Sequence, residues 1–232
     1  MMNFSQRSYE RELLDGDLIP FEDIKVNMRE LEFINKYLGG HKITIKGIRE
    51  LLGDRKAISV CEIGCGGGNN LKALSAWCKK NNISARFTGI DINKDCIAYT
   101  KENWRDSGNI EFITSDYKSV LFGSEKPDII FSSLFCHHLD DLQLREMIKW
   151  LEENSGIGFF INDLQRHPAA YYSIKWLTAL FSNSYLVKND APLSVRRGFL
   201  RDDWKKLFTE TGIKNYSIQW QWAFRWLVIV KW

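Results

Sequence analysis

Residues 58–70 read Ile-Ser-Val-Cys-Glu-Ile-Gly-Cys-Gly-Gly-Gly-Asn-Asn, and the rest of the chain is organised around this stretch. The β-branched apolar run at residues 58–63 predicts a strand, and the pattern of residues 71–80 predicts a helix. The turn between them contains four glycines: Gly64, Gly66, Gly67 and Gly68. Glycine permits a tight turn and lets a ligand touch the backbone. The N–H groups at the start of the following helix favour an anionic group on that ligand.

The spacing of this turn separates two classes of ligand. A dinucleotide fingerprint, G-x-G-x-x-G counted from Gly64, would need its third glycine where Asn69 stands. Glu62 lies at the tip of the predicted strand, where its charge would repel a pyrophosphate but attract a cationic amino acid end. S-adenosylmethionine (SAM) carries an ammonium, a sulfonium and a carboxylate but no phosphate. We therefore expect SAM rather than NAD, with a ligand-free glycine turn as the structural alternative.

The stretch Glu62-Ile-Gly-Cys-Gly-Gly-Gly68 resembles the first motif of class I SAM-dependent methyltransferases. The resemblance covers about residues 56–232. It implies an α/β fold, with a doubly wound, Rossmann-like sheet of seven mostly parallel strands and an antiparallel C-terminal hairpin. Residues 1–55 are expected to form an N-terminal helical extension or cap, and residues 164–199 a lid-like insertion. The expected cofactor contacts in the motif are Glu62, Gly64, Cys65, Gly66, Gly68 and Asn70.

Composition and charge argue against several other classes of protein. The chain has 232 residues, 44% of them hydrophobic, and a net charge of +3, which suits one globular domain. It contains no Lys/Arg block, so no nucleic-acid partner is expected. Five cysteines without a C-x-x-C pair argue against a disulfide framework or a zinc ribbon. Without a signal-peptide pattern or an 18-residue apolar run, a cytoplasmic protein with no membrane span is expected.

Acidic residues follow two further predicted strands. The strand at residues 86–90 ends in Asp91, which lies 23 residues after Gly68. Near this spacing a carboxylate reaches ribose hydroxyls, and Ile92 would then pack on one face of the adenine. The resemblance assigns the adenine end to three residues after the next strand: Ser115, Asp116 and Tyr117. A helix cap at Asp91 and a loop cap at Asp116 are the alternatives.

The fourth predicted strand, residues 128–132, leads into Ser133-Leu134-Phe135-Cys136-His137-His138-Leu139-Asp140-Asp141. In a doubly wound sheet this strand end adjoins the first strand, where ligands bind. The run is similar to that of small-molecule methyltransferases of the ubiquinone/menaquinone type, which implies cofactor contacts at Ser133 and Leu134. His137 or His138 can deprotonate a phenol or an enol. Capping the next helix or lining the pocket is the alternative, and no metal is expected because no third ligand stands at a suitable spacing.

Polar residues near later strand ends are candidates for contact with the methyl acceptor. Asn162 follows a predicted strand at residues 158–161, and Arg196 lies in a predicted long loop at residues 183–199. The stretch Ser-Val-Arg-Arg-x-Phe around Arg196 resembles small bacterial methyltransferases linked to polyketide or quinone pathways. A solvated arginine pair is the alternative. The apolar helix that begins at Pro168 is either a lid or a core helix.

The resemblance implies methyl transfer from SAM to oxygen or carbon of a small molecule. An aromatic-rich C-terminal third, with Trp220, Trp222, Phe224 and Trp226, favours an aromatic, quinol-like or polyketide-derived acceptor. A methyltransferase acting on protein or RNA and a non-catalytic nucleotide-binding module are the alternatives. A homodimer is left open.

Overall fold

The structure, a computed structural model, describes residues 3–16, 19–104 and 109–232. Its strands are β1 (Ala57–Ile63), β2 (Ser84–Asp91), β3 (Ile110–Thr114), β4 (Ile129–Ser133), β5 (Gly158–Leu164), β6 (Tyr216–Gln221) and β7 (Arg225–Lys231). They form one seven-stranded sheet in the order β3-β2-β1-β4-β5-β7-β6. Strands β1 to β5 pair in parallel, whereas β7 runs antiparallel to both β5 and β6. The predicted sheet and its C-terminal hairpin are confirmed.

Helices cover both faces of this sheet. Within the described ranges the α-helices are α1 (Phe21–Tyr37), α2 (Gly40–Leu52), α3 (Asn69–Lys80), α4 (Lys94–Asn103), α5 (Asp141–Asn154), α6 (Pro168–Phe181), α7 (Tyr185–Arg197) and α8 (Arg201–Thr211). One hydrophobic core packs α5 and α8 on one face, and a second packs α2, α3 and α4 on the other. In β1, Ile58 and Val60 enter the second core while Cys61 and Ile63 enter the first, as strand alternation requires. Burial on both faces explains the nearly continuous apolar run.

The long loop predicted at residues 183–199 is wrong, because most of it is α7. Ser184 caps this helix, with its hydroxyl accepting a hydrogen bond from the N–H of Val187. Pro192 lies inside the helix, where it removes a backbone donor and costs roughly 3 kcal/mol. Burial of the apolar face outweighs this cost, with α7 packed against α6 and α1. The face comprises Leu186, Val187, Leu193 and Val195.

The residues before β1 pack over the carboxyl ends of the strands. Arg166 is buried, and its guanidinium donates to the carbonyls of Phe4 and Ser5 at 2.9 and 3.2 Å. The carboxylate of Asp190, on α7, accepts from the backbone N–H groups of Leu13 and Leu14. These contacts fix residues 3–16 above the sheet edge where ligands bind in doubly wound folds. None of the helices in the described part of the chain is both long and apolar enough to cross a lipid bilayer.

Candidate cofactor and acceptor site

A cleft of about 800 Å³ runs along the carboxyl ends of β1 to β4. One wall is the turn between β1 and α3 together with the ends of β2, β3 and β4. The opposite wall is α1 with the end of the N-terminal segment, at Leu14, Asp15 and Gly16. A volume of this size is within the usual range for a ligand site, roughly 300–1,000 Å³.

The glycine turn is built so that its backbone faces the cleft. Gly64, Gly66 and Gly68 have φ angles of 68°, 47° and 69°, a region that L side chains rarely adopt. A Cβ on Gly64 would lie 2.6 Å from the ring of Phe135, whereas one on Gly66 would meet nothing within 4 Å. The N–H of Gly66 donates to Asp91 and its carbonyl accepts from Thr100, which hold the turn in place. Gly66 therefore offers open space for a ligand next to a fixed backbone.

Glu62 is a buried carboxyl group at the base of this turn. Its Oε1 accepts from the Nδ2 amide of Asn70 at 2.7 Å. Its Oε2 has no hydrogen-bond partner among the described residues. Burial raises the pKa of Glu62 to about 8, with the Asn70 hydrogen bond opposing the rise and the charge of Asp91 adding to it. A cationic ligand group beside Oε2 would supply the missing partner and favour the ionised form.

Asp91 lies at the end of β2, on the cleft wall. Its Oδ2 accepts from Gly66 N–H at 2.8 Å and its Oδ1 from Asn93 N–H at 2.9 Å. Burial raises the pKa of Asp91, and these backbone hydrogen bonds oppose the rise. The alternative role as N-cap of α4 belongs to Asn93, whose side chain accepts from the N–H groups of Asp95 and Cys96. Asp91 is thus left to brace the glycine turn and face the cleft.

The residues predicted for the adenine end all line the cleft. Ile92 is 75% exposed, unusual for an isoleucine and compatible with a surface that a ligand covers. Asp116 accepts from the N–H of Lys118 at 3.0 Å, so the predicted loop cap is present in addition to its place at the cleft. Tyr117 packs edge-on against Phe135, joining this end of the cleft to the end of β4.

The end of β4 is a strained corner. Ser133 and Leu134 line the cleft, and Leu134 has a φ of 55°, which is unusual for a bulky residue. The N–H of Leu134 donates to the carbonyl of Asn162, and the Asn162 amide donates to the hydroxyl of Ser133 at 3.2 Å. Asn162 itself is fully buried behind this corner and is absent from the cleft lining. Asn162 was expected to face the acceptor, but in the structure it holds Ser133 and Leu134 in place from behind the cleft wall.

The paired histidines belong to a cluster with carboxylates. Nδ1 of His137 lies 2.7 Å from Oδ1 of Asp163, and Nδ1 of His138 lies 3.1 Å from Oδ1 of Asp15. Burial would raise the pKa of Asp163, but the electrostatic interaction and hydrogen bond with His137 hold it below its usual value. His138 lines the cleft, whereas His137 is buried behind it. The reason given for expecting no metal was wrong, because Glu12 stands beside both histidines as a third possible ligand.

The arginine pair is divided between two environments. Arg196 lies outside the cleft lining and pairs with the carboxylate of Glu10 through both Nη atoms at 3.1 Å. Arg197 is buried and donates to the carbonyls of His137 and His138, and to Asp15. The sequence left open which arginine of the pair reaches the acceptor, and in the structure Arg197 supports the histidine cluster.

Several cleft residues carry no signal in the sequence. Sequence reasoning missed Asp15, Asn27, Glu32, Asn35 and Met28, which line the cleft from the N-terminal part of the chain. They reach it only because α1 packs across the strand ends. The side-chain oxygen of Asn27 is buried and has no partner among the described residues, which is a sign of a polar ligand group or water at that wall.

Comparison with known proteins identifies part of the chain. Residues 60–154 match the family model described as "Methyltransferase domain". That match covers less than half of the chain. The chain is 27% identical over 146 residues to the mitochondrial ubiquinone biosynthesis O-methyltransferase of Saccharomyces cerevisiae. That match covers 62% of this chain and 44% of the relative, so the chain spans less than half the length of the curated relative it matches.

Solved structures of other methyltransferases share the fold. The plantazolicin methyltransferase BpumL in complex with SAH superposes with a TM-score of 0.66 at 16% identity, covering 89% of this chain and 87% of that chain. Human N-acetylserotonin methyltransferase (ASMT) in complex with SAM superposes with a TM-score of 0.62 at 15% identity. There the match covers 88% of this chain and 54% of that chain. At these identities the likeness establishes the fold alone.

Proposed function

We propose that this protein is a SAM-dependent methyltransferase that acts on oxygen or carbon of a small molecule, aromatic, quinol-like or polyketide-derived. The observation that carries the proposal is the unpartnered, buried Oε2 of Glu62 beside the open backbone of Gly66. Glu62 lines the cleft, and in its ionised form the buried carboxylate needs a cationic partner, because an unpaired buried charge is costly. The match to the methyltransferase family model and the similarity to SAM- and SAH-bound structures support the same cofactor.

The residues of the cleft fit SAM along the part formed by β1 to β3 and the turns that follow them, which we call the cofactor half. Glu62 is placed to pair with the ammonium of the amino acid end, and Asp91 to accept from the ribose hydroxyls. The adenine would then lie among Ile92, Asp116 and Tyr117, which all line the cleft. Bound SAM supplies a methyl group already activated by the sulfonium, so the protein has mainly to hold a nucleophile in line with it. Cys65 and Ser133 complete the walls on either side of this half.

The remaining part of the cleft suits a small acceptor with both apolar and polar groups. Ile24, Met28 and Leu31 of α1 form an apolar wall, and Asn27 and Asn35 place amides in it. The exposed Trp220 and Trp222 do not line the cleft, so the apolar wall comes from α1 instead of the C-terminal hairpin. The names of the yeast relative and the human neighbour, a ubiquinone biosynthesis enzyme and an N-acetylserotonin methyltransferase, support an aromatic acceptor.

Of the four residues expected to meet the acceptor, His138 is the one that lines the cleft. We propose that Asp15, which His138 holds in place, accepts a hydrogen bond from an acceptor hydroxyl and so polarises its O–H bond. His137 and Asn162 would act through their neighbours, by orienting Asp163 and Ser133. Arg196 would serve the acceptor only indirectly, by holding Glu10 of the N-terminal segment.

The test combines binding with turnover. Calorimetric titration of the purified protein with SAM and with NAD should show micromolar binding of SAM alone. Incubation with radiolabelled SAM and a panel of phenols, quinols and enolic polyketide analogues should then transfer label to at least one acceptor. Label transfer to protein or RNA instead would place the acceptor among macromolecules. SAM binding without transfer to any class would favour the non-catalytic module.

A further inference from the structure

Glu12, His137 and His138 bring three metal-ligating atoms within 4.8 Å of one another. Nε2 of His137 lies 3.8 Å from Oε1 of Glu12, and Nε2 of His138 lies 3.9 Å from Oε2. Both distances are too long for hydrogen bonds. Atoms that share one zinc ion at about 2.0–2.2 Å are at most about 4.4 Å apart. The two separations between Glu12 and the imidazoles, 3.8 and 3.9 Å, fall within this limit, and Oε1 of Glu12 also accepts a hydrogen bond from the hydroxyl of Ser194 at 2.7 Å.

The far side of each imidazole is also arranged as in a metal centre. Asp163 binds Nδ1 of His137 at 2.7 Å, and Asp15 binds Nδ1 of His138 at 3.1 Å. A carboxylate on Nδ1 favours the tautomer with its proton there, which leaves the lone pair on Nε2. Metal-binding histidines almost always have such a partner on the second ring nitrogen. Both Nε2 lone pairs are therefore directed towards Glu12.

The charges of the cluster leave room for a divalent cation. Three carboxylates face it: Glu12, Asp15 and Asp163. One guanidinium, that of Arg197, lies 3.1 Å from Asp15 and 3.9 Å from Glu12. Even counting Arg225, which interacts electrostatically with Asp163, the three carboxylates outnumber the guanidinium groups in this largely buried site. Arg7 nearby does not offset them, since it pairs with Asp141. Buried charges of this kind require a partner.

We propose that Glu12, His137 and His138 bind a divalent transition-metal cation and that this cation clamps the N-terminal segment onto the sheet. Two imidazoles and a carboxylate are a donor set that suits zinc. The histidines follow β4, whereas Glu12 lies in the segment at residues 3–16, so the bound cation joins the two. Leu14 and Asp15 of that segment line the cleft, and the clamp holds this wall closed. This inference is independent of the proposed methyltransferase activity, because it is drawn from the positions of these three side chains alone.

Titration of the chelator-treated, full-length protein with Co²⁺ and Zn²⁺ tests the site. We expect one equivalent to bind, with the visible absorption of low-coordinate cobalt and no thiolate-to-cobalt band, because the cluster of possible ligands contains no cysteine. Glu12→Gln and His138→Asn should each weaken binding on the order of 100-fold or more, since each removes a ligand. Asp163→Asn, which removes only the Nδ1 partner, should weaken it about 10- to 100-fold. Glu10→Gln is the matched control, because Glu10 pairs with Arg196 outside the cluster.

A second measurement follows the clamp itself. Arg11 is exposed and precedes Glu12, so trypsin cleavage there reports opening of the segment. Cation at 100 times its Kd should slow this cleavage about 100-fold in the parent protein. If Glu12→Gln fails to fold without cation, His138→Asn, whose side chain is partly exposed, carries the comparison. Absence of stoichiometric cobalt binding, or equal binding by the parent and His138→Asn proteins, would overturn the proposal.

Discussion

The two halves of the cleft are built in different ways. The cofactor half takes its residues from β1 to β3 and the turns that follow them, so each group stands at a fixed offset from a strand end. The acceptor half joins Asp15, α1 and His138, which are far apart along the chain. Backbone geometry therefore dictates the first half, whereas side-chain packing and ion pairs dictate the second. Changes in the second half should accordingly affect folding and acceptor binding together.

Arg196 and Arg197 provide the largest expected difference in the acceptor half. Arg197→Ala removes a buried guanidinium that donates hydrogen bonds to the backbone carbonyls of His137 and His138 and to the carboxylate of Asp15. We expect a loss of about 3 kcal/mol in the free energy of unfolding, since breaking a buried ion pair leaves the partner uncompensated. Arg196→Ala removes a partly exposed pair with Glu10 and should cost at most about 1 kcal/mol. Urea unfolding of both variants measures the difference, and equal losses would contradict the division of the pair.

Glu62 should separate affinity from stability in the cofactor half. Glu62→Gln keeps an acceptor for Asn70 but removes the charge that we assign to the SAM ammonium. The Kd for SAM should rise roughly 30-fold or more, equal to about 2 kcal/mol or more. The ligand-free variant should be at least as stable as the parent at pH 8, because the parent bears the cost of a buried ionisable group. An unchanged Kd in calorimetry would remove Glu62 from the cofactor site.

The same carboxyl group predicts a pH dependence with a definite sign. Its pKa is about 8 in the folded protein against an ordinary value of 4.5, so the fold holds a proton that the unfolded chain releases. The tighter proton binding of the folded state stabilises it at low pH, and this stabilisation is lost as pH rises from about 4.5 to about 8. Pairing with the SAM ammonium needs the ionised form, so binding should release a proton. Below pH 8 the affinity for SAM should therefore increase as pH rises, by at most about tenfold per pH unit. Calorimetry in buffers of different ionisation enthalpy measures that proton, and Glu62→Gln should abolish it.

The sequence predicts the cofactor half because strand, turn and acid recur at short distances along the chain. Glu62, Asp91 and the glycines could all be located from the apolar runs that end beside them. The acceptor half could not be located this way. Nothing in the neighbourhood of Glu12 or Asp15 indicates that they meet histidines more than a hundred residues later, and the loop expected at residues 183–199 is mostly the helix α7. Hydrogen bonds such as those from Arg166 to the N-terminal backbone decide that arrangement, and they have no sequence period.

Two glycines with similar backbone angles give the finest test of the comparison. Gly66 and Gly212 both have positive φ, 47° and 80°, and a Cβ at either position would meet nothing within 4 Å. Each alanine variant should therefore lose about 1 kcal/mol in the free energy of unfolding, through backbone strain alone.

Only Gly66 lies in the cleft, whereas Gly212 follows α8 on the outside. Gly66→Ala should raise the Kd for SAM about tenfold, because a methyl group would occupy space that a ligand needs next to the backbone, whereas Gly212→Ala should leave the Kd unchanged. Thermal unfolding and calorimetry on the matched pair separate strain from steric exclusion. Equal SAM affinity in both variants would show that the open space at Gly66 is not where the cofactor lies.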